Sequence, residues 1–118
     1  MPADTREPER YRLHAEMCKV LTDPKRLRLL DALRGEERSV GELAAELGVS
    51  LPNASQHLAV LRSAGLVDGR RDGASVRYHL AEPAILDACH IVDGIVERRQ
   101  AARSRPLVVA EPPAVPVS

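Results

Sequence analysis

From Ser39 to Val67 the chain reads SVGELAAELGVSLPNASQHLAVLRSAGLV, and the punctuation of this run fixes two helices and the short turn between them. Ser39 and Glu42 have the S-x-x-E spacing of a capping box, which opens a helix that Gly48 closes. Ser50 caps the next helix, Pro52 lies in its first turn, and Ala64-Gly65 stops it. On a helical wheel Ala54, Leu58 and Leu61 form one apolar stripe, with Asn53, Ser55, Gln56 and Ala59 on the flanks or the far side. No Asp or Glu occurs from Leu51 to Val67. A solvated helix usually carries Glu and Lys. A helix in a major groove instead needs amides and hydroxyls for base edges, and no carboxylates facing phosphate. Two helices joined by so short a Gly-containing link form a helix-turn-helix, with the second helix as the reader. A plain helical hairpin would leave the missing acids unexplained.

Leu66 to Arg71 and Ala74 to Leu80 are strand-like, and Asp72-Gly73 between them is a hairpin turn signal. Val76, Tyr78 and Leu80 alternate with Ser75, Arg77 and His79, giving one apolar and one polar face. Arg70, Arg71 and Arg77 make the hairpin basic, which suits a DNA backbone beside a groove-bound helix.

In chain order, Met1 to about Pro8 is a polar segment expected to fray. A first helix follows from near Glu9 to Leu21, with the stripe Tyr11, Ala15, Cys18 and Leu21. Asp23 and Pro24 start a second helix, in which Leu27, Leu30 and Leu33 face inward and Lys25, Arg26 and Arg28 outward. Gly35 to Arg38 reads as a polar loop. The last helix, Ala84 to about Gln100, is apolar on more than one side, through Ile85, Cys89, Val92 and Val96 with Leu86, Ala88 and Ile95, and so calls for more than one packing partner. From Ala102 the tail is Pro-rich without periodicity and reads as disordered. The expected organisation is a flexible segment 1–8, one domain over 9–101, and a disordered tail 102–118.

The runs LTDPKRLRLLDAL, SVGELAAELGVS, PNASQHLAVLRSAGLV and RRDGASVRYHL, in this order over roughly residues 11 to 100, resemble the ArsR/SmtB family of bacterial winged-helix repressors. The resemblance implies a mainly α winged helix-turn-helix with a small β-hairpin wing, in the order α-α-α-α-β-β-α. It further implies a homodimer joined through the first and last helices, bound to double-stranded operator DNA and released by an inducer. Composition agrees with the dimer. A chain of 118 residues with two Tyr and no Phe or Trp builds its core from aliphatic side chains, a thin core for a lone monomer. With 17 basic and 17 acidic side chains, total charge says nothing about nucleic acid. The local balance does, because Glu36 to Glu46 is net acidic while Ser50 to Tyr78 is net basic. Neither a signal peptide nor a long apolar run is evident, so a cytoplasmic protein away from membranes is expected, with its two cysteines as free thiols.

Asn53, Ser55 and Gln56 are therefore expected to read bases, with His57 beside them for contact or packing, and Ser50, Arg62, Arg70, Arg71 and Arg77 to hold phosphates. Two chemistries are open for the inducer. Cys18 and Cys89, one in each dimerisation helix, suit arsenite, a soft metal ion, or oxidation and persulfide chemistry, or else are small buried hydrophobes. His14, Cys18, Asp87, Cys89 and His90 suit zinc or nickel. Here the chain departs from the metal-sensing pattern, since ELAAEL stands where supporting-helix thiolates would be and Cys89 where a His would fall. A regulator of the same fold without any small-molecule sensor is the remaining alternative. No nucleophile-base arrangement or Gly-rich phosphate loop is present to suggest an enzyme.

Overall fold

The computed structural model describes residues 6–104; the segments 1–5 and 105–118 lie outside the described residues. The elements are α1 (Arg6–Val20), α2 (Pro24–Ala32), β1 (Arg38–Ser39), α3 (Val40–Leu47), α4 (Leu51–Ser63), β2 (Val67–Asp72), β3 (Ser75–Leu80) and α5 (Ala84–Ser104). This is a mainly helical winged helix-turn-helix with five helices, as expected. No described helix is long and apolar enough to cross a membrane.

The punctuation of the central run acts as its residue types dictate. Ser39 Oγ accepts from the Glu42 amide at 3.1 Å while the Ser39 amide donates to Glu42 Oε1 at 2.9 Å, closing the capping box. Gly48 ends α3 at φ 70°, a left-handed conformation that lets the chain turn at once into α4. Ser50 Oγ then accepts from the Asn53 amide at 3.2 Å. At the start of α2, Asp23 Oδ1 accepts from the Lys25 amide at 2.8 Å.

The core lies among α2, α3, α4 and the root of the wing, where Leu29, Leu30, Leu33, Leu43, Leu58, Leu61, Leu66 and Val67 are buried. Ala54, Leu58 and Leu61 are fully buried, as the stripe of α4 predicts. Two other stripes need correction. In α2, Leu29 takes the inward position expected of Leu27, which is left exposed. Leucines at 27, 29, 30 and 33 fit two rotations of the helix, and packing against α3 and α4 selects between them. Of the first-helix stripe only Leu21, just past the end of α1, packs against the core, beside Met17 and Val20, while Tyr11, Ala15 and Cys18 face outward. Arg26 Nε donates to the Val20 carbonyl at 2.7 Å and fixes the α1–α2 elbow in that rotation.

Helix ends and the wing also differ from expectation. α1 begins at Arg6, inside the segment expected to fray. Glu7 and Glu9 favour the positive helix N-terminus there, and their pairs with Arg10 and Arg12 support the first turns. α5 runs to Ser104, past Gln100, because Gln100-Ala101-Ala102-Arg103 are good helix formers. Part of the expected polar loop pairs as β1, making a three-stranded antiparallel sheet in the order β1-β3-β2. Asp72 pairs with Ser75, so the two-residue turn is Gly73-Ala74, one place beyond the expected Asp72-Gly73. Gly73 alone has a positive φ there, 65°, as a turn with Gly at its first central position requires.

The chain divides into two compact units after Leu86. The second consists, among the described residues, of α5 from Asp87 onward; no residue of α5 is buried.

Candidate nucleic-acid interface

The outward side of α4 is built by the burial of its other side. With Ala54, Leu58 and Leu61 locked inward, Ser55, Gln56, Ala59 and Arg62 are left exposed on a face without a carboxylate of its own. Asn53 is half-buried on the flank, and its Oδ1 is enclosed without a hydrogen-bond partner among the described residues. His57 turns toward the helix junction: its side chain is 14% exposed, with Nδ1 3.5 Å from Arg26 Nη1 and Nε2 3.9 Å from Asp23 Oδ2. His57 thus packs α4 against the start of α2. Ser50 is exposed, and its hydroxyl is engaged as the α4 cap.

The wing rises beside this face. A cleft of about 340 Å³ separates the two, walled by Ser55, Ala59, Arg62 and Ser63 of α4 and by Tyr78 of β3. The register puts Val67, Gly69 and Arg71 of β2 on one side of the sheet with Val76, Tyr78 and Leu80, and Asp68, Arg70 and Asp72 on the other with Ser75, Arg77 and His79. The three wing arginines, equivalent in the sequence, therefore separate. Arg71 lies exposed on the side that carries Tyr78, and among the described residues it pairs with no carboxylate. Arg70 and Arg77 lie directly opposite each other on the other side, where Glu37 meets both.

Glu37 is the residue of this site that sequence reasoning missed. Arg70 Nη2 donates to its Oε1 at 2.6 Å and Arg70 Nε to its Oε2 at 3.2 Å. Arg77 Nη2 donates to the Glu37 main-chain oxygen at 3.0 Å and lies 3.6 Å from Glu42 Oε1. The hydrogen bond from Arg70, with the charges of Arg70, His79 and Arg77, holds the Glu37 carboxyl below the ordinary carboxylate range. The one available signal was the acidic pair Glu36-Glu37 just before the capping box; strand pairing alone brings it to Arg70, 33 residues on. Arg62, by contrast, lies 3.4 Å from Asp68 in an exposed pair.

Cys18 is exposed on α1 and Cys89 half-buried on α5, both as free thiols. Burial, and then the charge of Asp93, push the Cys89 thiol above its ordinary value. Among the described residues, no three His, Cys, Asp or Glu side chains converge to hold a metal ion.

Residues 21–70 match the model of a helix-turn-helix domain family. The chain is 42% identical over 89 residues to the uncharacterized HTH-type transcriptional regulator Rv0081 of Mycobacterium tuberculosis (strain ATCC 25618 / H37Rv), covering 75% of this chain and 78% of that one. The Rv0081 crystal structure superposes with a TM-score of 0.73 at 40% identity, over 80% of this chain and 96% of that chain. A fragment of Mb0332 from Mycobacterium bovis gives 0.76 at 28% identity, over 89% and 98%. It is described as the homodimeric winged helix-turn-helix DNA-binding domain of a possible ArsR-family transcriptional regulator. The transcriptional repressor BigR from Xylella fastidiosa gives 0.62 at 36% identity, over 75% and 92%.

Proposed function

The chain belongs to the ArsR family of winged helix-turn-helix transcriptional regulators, and on that premise we propose that it is an operator-binding repressor that acts as a homodimer and is released by a thiol-reactive inducer. The observation that carries the DNA-binding part is the carboxylate-free outward face of α4 beside a basic wing. In this reading each protomer sets α4 in one of two successive major grooves, with half-sites about one helical turn apart. Ser55 and Gln56 meet base edges, with Asn53 at their flank. Ser50, Arg62, Arg70 and Arg71 approach phosphates, with Arg77 bracing the wing and His57 bracing α4.

The dimer is supported by apolar side chains that a lone chain leaves in water. In α5, Ile91 is 64% exposed and Val92 56%, with Ile95 and Val96 close behind; in α1, Tyr11 and Leu13 are more than half exposed. A groove of about 600 Å³ between α1 and α4, lined by Leu13, Met17, Val20 and Val60 among others, adds to this surface. The Mb0332 fragment is a homodimer of the same fold.

For the inducer, Cys18 and Cys89 supply soft thiol ligands for arsenite, and sulfurs open to oxidation or persulfide formation. A zinc- or nickel-type site built from His14, Asp87, His90 and the thiols is the second chemistry these side chains suit. Binding that differs between two arrangements of the dimer supplies the switch, typically about 1–3 kcal/mol of coupling.

The test is fluorescence anisotropy on an operator selected from random duplexes, with reduced protein and with protein treated in turn with arsenite, zinc, nickel, peroxide and polysulfide. One agent should release the DNA, and Cys18→Ser or Cys89→Ser should abolish that release. Release that survives both substitutions would remove the thiols from the sensor. Gln56→Ala should cost roughly 1–3 kcal/mol of operator preference, with binding to unrelated duplex unchanged; an unchanged operator preference would refute the assignment of α4.

A further inference from the structure

Arg70 and Arg77 are cross-strand partners, and like charges directly opposite each other destabilise a sheet. The sequence places them there all the same, and Glu37 resolves the conflict differently for each. Arg77 is half-buried and fastened to the Glu37 main-chain oxygen with Glu42 beside it, so it belongs to the frame of the wing. Arg70 is 55% exposed, and its guanidinium fork is taken up by the two oxygens of the Glu37 carboxylate. A guanidinium grips two oxygens of a phosphate diester in the same bidentate way. Arg70 is more than half exposed and Glu37 about a third exposed, and an ion pair reached by solvent in this way is worth little.

We infer that Glu37 is an internal competitor for the DNA phosphate at Arg70, holding the wing's contact in check until a backbone phosphate displaces it. The inference rests on the reading of the wing as a phosphate-contacting element. Arg71, which pairs with no carboxylate among the described residues, contacts DNA without this competition. The device lowers the affinity of the free wing without removing the cation, and it makes bound DNA easier to release.

The decisive experiment is a double-mutant cycle of Glu37→Gln and Arg70→Gln, read as binding to the selected operator and to a duplex of unrelated sequence over a range of salt. Glu37→Gln should tighten binding roughly threefold or more at low salt. It should also steepen the salt dependence by up to one released counterion, a change worth about threefold between roughly 50 and 200 mM salt. Removing one negative charge tightens DNA binding in any background, so the signature is the difference: in Arg70→Gln protein the gain should shrink to that general effect. Arg70→Lys keeps the charge but cannot form the fork, and should also shrink it. An equal gain with and without Arg70 would overturn the inference. So would weaker binding by Glu37→Gln protein whose thermal unfolding is unchanged, since Glu37 would then position the wing instead of masking it. Gln56→Ala reports on α4 alone, so a failure of base reading leaves this cycle interpretable.

Discussion

The helix-turn-helix with its wing root and the helix α5 answer the same hydrophobic demand in opposite ways. In the first, each inward leucine of α2, α3 and α4 has a partner, and Leu29, Leu43 and Leu58 are sealed from water within one chain. In α5 Ile85 and Leu86 are half-buried at its start, but Ile91, Val92, Ile95 and Val96 are all exposed and no residue is buried. The reading unit thus contains its own folding instructions, whereas α5 carries apolar surface in excess of what its own chain covers. A regulator gains from this division. A rigid reader keeps its face whatever the inducer does, while a surface completed by a second copy can change its geometry when that copy moves.

The largest expected effect falls on the self-sufficient half. Leu58→Ala removes a fully buried side chain at the centre of the core and should cost about 2–5 kcal/mol in chemical denaturation. A much smaller loss would mean that the reading unit is less complete than its burial indicates. Next comes α5, where Val92→Asp puts a charge on an exposed apolar face. It should leave the circular dichroism of the chain nearly unchanged and weaken self-association by about tenfold or more in sedimentation, because a two-fold interface suffers the change twice. If Val92→Asp instead unfolded the protein and left the dimer constant untouched, the contrast between the two regions would collapse.

What the sequence revealed divides along the same line. Capping residues act within four positions, so Ser39-Glu42, Gly48 and Ser50 set the ends of α3 and α4 locally, and the stripe Ala54-Leu58-Leu61 could be read without neighbours. The choice between Leu27 and Leu29 could not, because four leucines fit two rotations and only α3 and α4 decide. Tyr11, Ala15, Cys18 and Leu21 make a stripe at helical spacing, yet only Leu21 packs inward, beside Met17 and Val20, in the rotation that Arg26 holds at the elbow. β1 is two residues long, too short for alternation to show, and with it the position of Glu37 was hidden. The basic character of the wing was legible. That its three arginines have three different environments was not, since this depends on strand register and on a carboxylate from another element.

The smallest expected effects are those of pH, and they sharpen the comparison by acting on the two regions at opposite ends of the scale. Asp23 is held below the ordinary carboxylate range by the Lys25 amide, Glu37 by Arg70 and Glu42 by the Ser39 amide, and all three lie in the self-sufficient unit. A lowered folded-state value means that the unfolded chain takes up protons first as the pH falls. The stabilisation is complete above about pH 4 to 5 and is lost as the pH falls through the lowered values. Cys89 in α5 is the reverse case. Burial raises its thiol, so its contribution is intact below the ordinary thiol value and is lost as the pH climbs from there through the raised one. Denaturation midpoints followed against pH should therefore lose part of their acid slope in Glu42→Gln protein and part of their alkaline slope in Cys89→Ser protein, with neither change affecting the other limb. The alkaline limb also bears on the inducer. A thiol held protonated at neutral pH is a slow nucleophile, so the agent that acts at Cys89 should act faster as the pH rises toward the raised value. A rate of inducer release independent of pH in that range would remove ionisation of Cys89 from the first chemical step.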